Sequence, residues 1–363
     1  MAPDLFLSQK FRRLSFLGMI TVVYVHAFNF DDRYLWAGRP FTEELNFENF
    51  IQVFITNGLL RFGVPLFFFR AGYLMAETDA HYSFLSRLVK KLKTLVMPYC
   101  AWGLLGVLVT YLFESQAFLE QFVISAQLGK YGISVHEWSP EQWFSGVFLD
   151  QISFQLWFLR SLFIYSLLYP LLVLATQKWP WILLALFAAC WILGIGFVFV
   201  EGEGILFFTI GIVAQKHNWN FKAIAAFTNK FYLWIPTLIL VSLKAWLSFQ
   251  EGNIQICWFM HSAQQLLLLL TFWGLYDISI GKTTKHIWLD KASRYNFFIY
   301  GFHVPILYYL TDLTFFYLGK ESMTRLGVFI CLPLLLVAFS MLWGWILDKV
   351  FPKAFWVLTG GRI

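Results

Sequence analysis

FRRLSFLGMITVVYVHAFNF, residues 11–30, is an apolar run introduced by two arginines and carrying a histidine near its far end. Its meaning depends on the solvent around it. The chain has 363 residues, of which 59% are apolar, 21% aromatic and only 13% charged. Soluble domains carry about 25% charged residues. With 42 Phe and 17 Trp, the composition is that of a polytopic membrane protein. Residues 11–30 lack a small-residue cleavage site, so a spanning helix is expected there rather than a removable signal. The four cysteines, Cys100, Cys190, Cys257 and Cys331, fall in separate apolar runs and offer neither a metal site nor a disulfide framework. The net charge of +6 does not point to nucleic acid, because the basic residues sit in short turns between apolar runs.

A spanning helix needs about 20 apolar residues. Ten segments qualify: 14–30, 51–76, 94–113, 154–175, 180–200, 204–216, 231–249, 255–277, 294–312 and 325–348. Alternating them from a cytoplasmic N-terminus places 18 Lys and Arg on one side and six on the other, Lys244 among the six. That bias predicts an all-α protein of about ten transmembrane helices, with both termini cytoplasmic and 1–363 forming one domain. The long connection 114–153 is amphipathic, which suits the membrane surface or the cap of a cavity.

Arg61, Arg70, Arg160, His26, His261 and His303 fall inside apolar segments. A charge at membrane depth costs at least ~2.5–3.5 kcal/mol, so such residues together mark a polar cavity. A single one is as readily a helix-packing hydrogen bond. RFGVPLFFFRAGYLM, residues 61–75, is interrupted by Gly63, Pro65 and Gly72, and broken backbone at this depth needs protein or water to satisfy it. Lys90 and Lys93 in RLVKKLK are three apart, which fits either a phosphate contact or plain orientation anchoring. His26 lies 14 residues beyond Arg12, ~21 Å up a helix and within ~40° of the same face. A neutral histidine there can serve as a general base. Neither a nucleophile triad nor metal-ligand spacing accompanies it. The H-x-x-x-x-D match at His26–Asp31 and the H-x-x-x-D match at His286–Asp290 are of a length expected by chance.

Six stretches, in order, resemble the integral-membrane acyltransferase family 3, which includes O-acetyltransferases of bacterial surface polysaccharides. They are FLGMITVVYVHAFN, RFGVPLFFFRAGYLM, KKLKTLVMPYCAW, QLWFLRSLFIYSLLYPLL, FFTIGIVAQKH and SRYNFFIYGFHVPIL. The resemblance implies transfer of an acyl group, usually acetyl, from cytoplasmic acyl-CoA as co-substrate to a hydroxyl of a lipid-linked or exported glycan. It implies no bound cofactor and a multi-pass location in the inner (plasma) membrane. It assigns the essential histidine to His26 and the R-x-x-R donor contacts to Lys90 and Lys93. Arg61, Tyr73, Trp157, Arg160 and His303 fall in the other family stretches and are cavity or acceptor candidates. The family's arginine 11 residues before the histidine is replaced here by Ser15, with Arg12, one turn lower, as the candidate substitute; Arg70, which precedes Ala71, is a further donor-binding candidate. Lysines at the R-x-x-R positions keep charge but lose the bidentate fork. Ala71 stands where the family has serine. A separate extracytoplasmic transfer partner is compatible with this pattern. A transporter or flippase of an anionic glycolipid or small acid, and a non-catalytic subunit of a polysaccharide system, are the competing readings. Trp36, Trp138 and Trp143 in the outer connections are candidates to stack on sugar rings or to sit in the interfacial aromatic belt.

Overall fold

The computed structural model describes all residues except 1–4, 31–40, 80–82, 127, 129–130, 197–199, 229, 281–286 and 363. Among the described residues it is helical, with no β-strand. In chain order the helices are α1 (Leu5–Val25), α2 (Phe47–Val53), α3 (Gly63–Glu77), α4 (Phe84–Lys91), α5 (Met97–Glu114), α6 (Ala117–Ser125), α7 (Pro140–Phe148), α8 (Trp157–Lys178) and α9 (Pro180–Ile192). They continue as α10 (Gly202–Lys216), α11 (Phe221–Thr228), α12 (Trp234–Leu247), α13 (Ile254–Ser279), α14 (Ile287–Ala292), α15 (Asn296–Leu318), α16 (Ser322–Val350) and α17 (Pro352–Thr359). Every one of the ten apolar segments overlaps a helix. Among the described residues, five continuous helical stretches are long and apolar enough to cross a membrane: Phe47–Glu77, Phe84–Glu114, Phe154–Lys178, Ile254–Ser279 and Ser322–Val350. The connection 114–153 folds into α6, α7 and a short 3-10 turn, Val135–Glu137.

The chain forms two compact units, Met1–Arg87 with Ile164–Ser293, and Leu88–Phe163 with Arg294–Ile363. In the first unit, small residues let helices approach closely. This matters because lipid tails supply no hydrophobic drive between helices, and packing must do the work. A Cβ on Gly72 of α3 would stand 1.9 Å from Phe208 O of α10, and one on Gly211 of α10 would stand 2.1 Å from Phe69 O. Gly63 meets Gly18 O of α1 at 2.8 Å by the same test. Gly72 is therefore a packing glycine and not a break, contrary to the sequence expectation. An aromatic core of Phe11, Phe69, Tyr73, Phe221 and Trp273 sits beside this contact.

The break in this unit lies just before Pro65, at Leu60–Phe62. Pro65 occupies the first turn of α3, where its missing N–H costs no helix bond. The residues before the break, Phe54–Leu59, form a π-helical turn. Leu60 N–H bonds Ile55 O at 3.0 Å and Arg61 N–H bonds Gly58 O at 3.3 Å. In an α-helix those two donors would serve Thr56 O and Asn57 O. Both carbonyls must find other donors.

The second unit solves the same problem differently. Val304 leaves helical geometry (φ −113°, ψ 132°) inside α15, just before Pro305. Pro305 cannot donate to Gly301 O. Gln155 Nε2 stands 3.3 Å from that carbonyl and 3.2 Å from Val304 O, and Ser153 Oγ donates to Val304 O at 3.1 Å. Gly301 gives passage to Trp102, which a Cβ would meet at 2.0 Å.

Gly72→Val is expected to cost ~1–3 kcal/mol or more through overpacking. Gly327→Ala, at an open helix position, is expected to hold or raise stability, since Ala exceeds Gly by about 1 kcal/mol in helices. Thermal unfolding of both variants in detergent checks the pair, and equal midpoints would contradict the packing account.

Candidate functional site

α1 is clamped at its basic end. Arg13 donates to both carboxylate oxygens of Asp290, from Nε at 3.0 Å and Nη2 at 2.7 Å, and Arg12 joins the same carboxylate at 2.9 Å. Lys10 pairs with Asp277 at 2.7 Å and lies 3.9 Å from the Trp273 ring centroid. These cations were read from sequence as loop charges; Lys10 and Arg13 are buried. Asp290 is an ion-pair partner, which leaves the His286–Asp290 spacing without chemistry. His286 itself, like Asp31 and Trp36, is outside the described residues.

Further along α1, Ser15 Oγ donates to Phe11 O at 2.6 Å and accepts from Arg70 Nη1 of α3 at 2.8 Å. Arg12 is within electrostatic reach of Arg70. The structure thus gathers Arg12, Ser15 and Arg70 on one side of α1. Tyr73, one turn from Arg70, is held in the aromatic core, 5.3 Å from Phe11 between ring centroids. His26 closes α1, half-buried, and its backbone N–H bonds Val23 O at 3.1 Å. The chain then runs to Asn29, whose backbone N–H donates to Gln52 Oε1 of α2 at 3.2 Å.

Arg61 belongs to a different cluster of the same unit. Its Nε donates to Thr56 O at 3.1 Å, supplying one of the carbonyls freed by the π-turn. The other, Asn57 O, accepts from Lys244 Nζ at 2.8 Å and Gln264 Nε2 at 2.7 Å. Lys244 also donates to Asn57 Oδ1 at 3.0 Å and to His261 Nδ1 at 3.1 Å. Lys244 is 1% exposed. It is not a loop charge, as its place in the orientation count assumed; it sits inside α12. Lys244, Asn57 and Gln264 were missed by the sequence reading. The available signal was a lysine within WIPTLILVSLKAWL.

In the second unit, Trp157, Phe158, Tyr300 and His303 form a string of rings with centroid spacings of 6.2, 6.1 and 6.3 Å. His303 is fully buried, with Nδ1 donating to Ile299 O at 3.1 Å, one position before the helix break. Arg160 Nη1 donates to Leu149 O at 3.3 Å. Lys90 lies in the last turn of α4, whereas Lys93 lies in the π-helical turn Leu92–Val96, so the two do not share one regular helix. Both are exposed. Trp138 is buried against Gly146, and Trp143 packs on it at 6.1 Å. No cluster of three or more metal-ligating residues occurs among the described residues.

Buried basic residues, broken helices and a histidine ending the first helix are compatible with more than one membrane function, and comparison with known proteins decides the class as an acyltransferase. Residues 14–349 match the acyltransferase domain of acyltransferase family 3, and the chain belongs to that family. It is also similar to the succinoglycan biosynthesis protein ExoH of Rhizobium meliloti (strain 1021), at 25% identity over 99% of this chain and 94% of that protein. No solved structure matches.

The hydrogen bonds from Arg13, together with the nearby charge of Arg12, outweigh burial and hold the Asp290 carboxyl below its ordinary range. A lowered folded value means that this contribution to stability is present above the ordinary carboxylate value of about 3.9 and is lost as pH falls through the lowered one. The stability gap between the protein and Asp290→Asn is expected to be full at neutral pH and to shrink in acid. Unfolding midpoints across pH measure it; a gap that grows on acidification would contradict the ion pair.

Proposed function

We propose that this protein is a polytopic inner-membrane O-acyltransferase. It takes an acyl group, acetyl in the simplest case, from cytoplasmic acyl-CoA and delivers it to a hydroxyl of an envelope or exported glycan. Ten spans with both termini cytoplasmic, and one functional domain over 1–363, are part of the proposal. It rests on family membership across nearly the whole chain. The observation that carries it is the delivery of Arg70 Nη1 to Ser15 Oγ at 2.8 Å, on the helix that ends in His26. The resemblance calls for a guanidinium at position 15, and α3 brings one there.

In this reading His26 accepts the proton of the acceptor hydroxyl. The hydroxyl oxygen attacks the thioester carbonyl, the C–S bond breaks, and CoA leaves as a thiolate that takes up a proton. Arg70 and Arg12 provide positive charge on the donor side of α1. Lys90 and Lys93 are assigned to the donor phosphates. Arg61 and Tyr73 of the first unit, and Trp157, Arg160 and His303 of the second, are each retained as cavity or acceptor candidates. A separate extracytoplasmic partner for the last transfer remains within the proposal. Broken helices also suit a transporter; substrate movement without consumption of any acyl-CoA would support that reading instead.

His26→Ala is expected to lower glycan acylation in cells by ~10²–10⁴-fold while the protein still inserts. Acyl content of the extracted glycan reads the outcome, and undiminished acylation would remove His26 from the mechanism. Arg70→Ser is expected to lose most activity, and Ser15→Arg combined with Arg70→Ser to recover part of it. No recovery in a folded double variant would show that the two positions do not share one role.

A further inference from the structure

At its basic end α1 shares a cavity of about 290 Å³ with α11 and α13. The residues that line it all belong to the first unit. Phe6, Phe221 and Trp273 give it aromatic walls, and Lys10 and Asp277 reach it from α1 and α13. Lys222 of α11 also lines it and is exposed. The proton transfer assigned to His26 uses none of these residues.

Size and lining limit the occupant. Small-molecule sites begin at ~300 Å³, so there is room for one flat ring system and not for a whole nucleotide. A phosphate fits the interior poorly. The ammonium of buried Lys10 is already engaged, by Asp277 Oδ2 at 2.7 Å and by the Trp273 ring at 3.9 Å from its centroid. The Asp277 carboxylate would repel an anion placed beside it.

A lipid tail fits poorly as well, because the lining has two polar atoms to satisfy. Asp277 Oδ1, an acceptor, and Trp273 Nε1, a donor, are buried and have no hydrogen-bond partner among the described residues. Leaving both unmet is costly, and a hydrocarbon chain meets neither. An occupant that suits the cavity is flat and uncharged, and carries a donor beside an acceptor on one edge. Adenine presents that pattern, with its exocyclic amine next to a ring nitrogen. Bases of this kind stack readily on aromatic side chains. Exposed Lys222 suits a phosphate that stays outside.

Under the function proposed above, on which this inference rests, the start of α1, the turn that holds α11 and the end of α13 all face the cytoplasm, where the donor is. The carrier half of that donor is an adenine nucleotide. We propose that this cavity receives the adenine ring of acyl-CoA, with Asp277 and Trp273 bonding its amine edge and Lys222 meeting a phosphate outside. The same ring could be brought by a free adenine nucleotide acting as a regulator, and the experiment separates the two.

The test uses the purified full chain in liposomes with one glycan acceptor. Turnover is compared for acyl-CoA and for the same acyl group on phosphopantetheine, which lacks the nucleotide. The adenosine bisphosphate that forms the nucleotide half of CoA is then added as a probe of the cavity. The expected result is a kcat/KM that is ~10-fold or more higher for acyl-CoA, with the bisphosphate competing against acyl-CoA and not against the truncated donor. Ala225→Trp, which fills the cavity from α11, is expected to bring kcat/KM for acyl-CoA down toward that of the truncated donor. Lys222→Glu is expected to do so in part, with unfolding midpoints confirming that both variants fold. The wild-type comparison of donors decides the matter even if Ala225→Trp does not fold. Equal kcat/KM for the two donors overturns the inference and leaves the proposed function standing. A full CoA advantage in folded Ala225→Trp overturns it too, by placing the adenine elsewhere. A bisphosphate that alters turnover of both donors alike assigns the cavity to a free nucleotide and overturns the assignment to the donor. No turnover of any thioester overturns the proposed function itself.

Discussion

A backbone carbonyl in an apolar environment must find a donor, and at two helix breaks among the described residues none is left in the ladder. Much of its polar architecture follows. The π-turn before Leu60 strands Thr56 O and Asn57 O, and Arg61, Lys244 and Gln264 come to meet them. The break at Val304 strands Gly301 O and its neighbours, and Gln155 and Ser153 serve those. Arg61 is local to its break, but Lys244 and Gln264 in the first unit, and Gln155 and Ser153 in the second, come from segments distant in sequence. The breaks therefore fix which helices must be neighbours as well as where charge is tolerated.

Close helix contact does the rest. Gly72 against Phe208 and Gly211 against Phe69 bring α3 and α10 together backbone to backbone. That contact fixes the face of α3 that carries Arg70. Arg70 can then reach Ser15 on α1, and the clamp of Arg12 and Arg13 on Asp290 fixes the lower end of the same helix. His26 is thus the end of a helix anchored at several points. Under the proposed function His26 is the base, and a base at the end of a braced rod can hold its geometry against an arriving hydroxyl.

The helices were legible because a run of about 20 apolar residues has few alternatives. The family was legible because six short stretches keep their order. Arg61 and His261 stood out because burying their polarity is costly, and both belong to the cluster at the break. Lys244 was lost because counting basic residues by side treats each lysine as a loop charge, and α12 carries this one into the interior. Gly72 and Pro65 looked like breaks because residue type alone does not separate a packing glycine or a first-turn proline from a kink. The shift of register between Lys90 and Lys93 required the π-turn. The bond from Arg70 to Ser15 joins residues 55 apart, and no spacing rule reports a contact between helices.

The account stands or falls on directional acyl transfer through the protein. The direct measurement is acyl transfer by the purified chain in sealed liposomes of known orientation, with labelled acyl-CoA on one face and glycan acceptor on the other. The account predicts labelled glycan and free CoA in equal amounts, only when the donor is on the face bearing Lys90 and Lys93. Transfer from either face alike, or glycan movement with no CoA released, would contradict it.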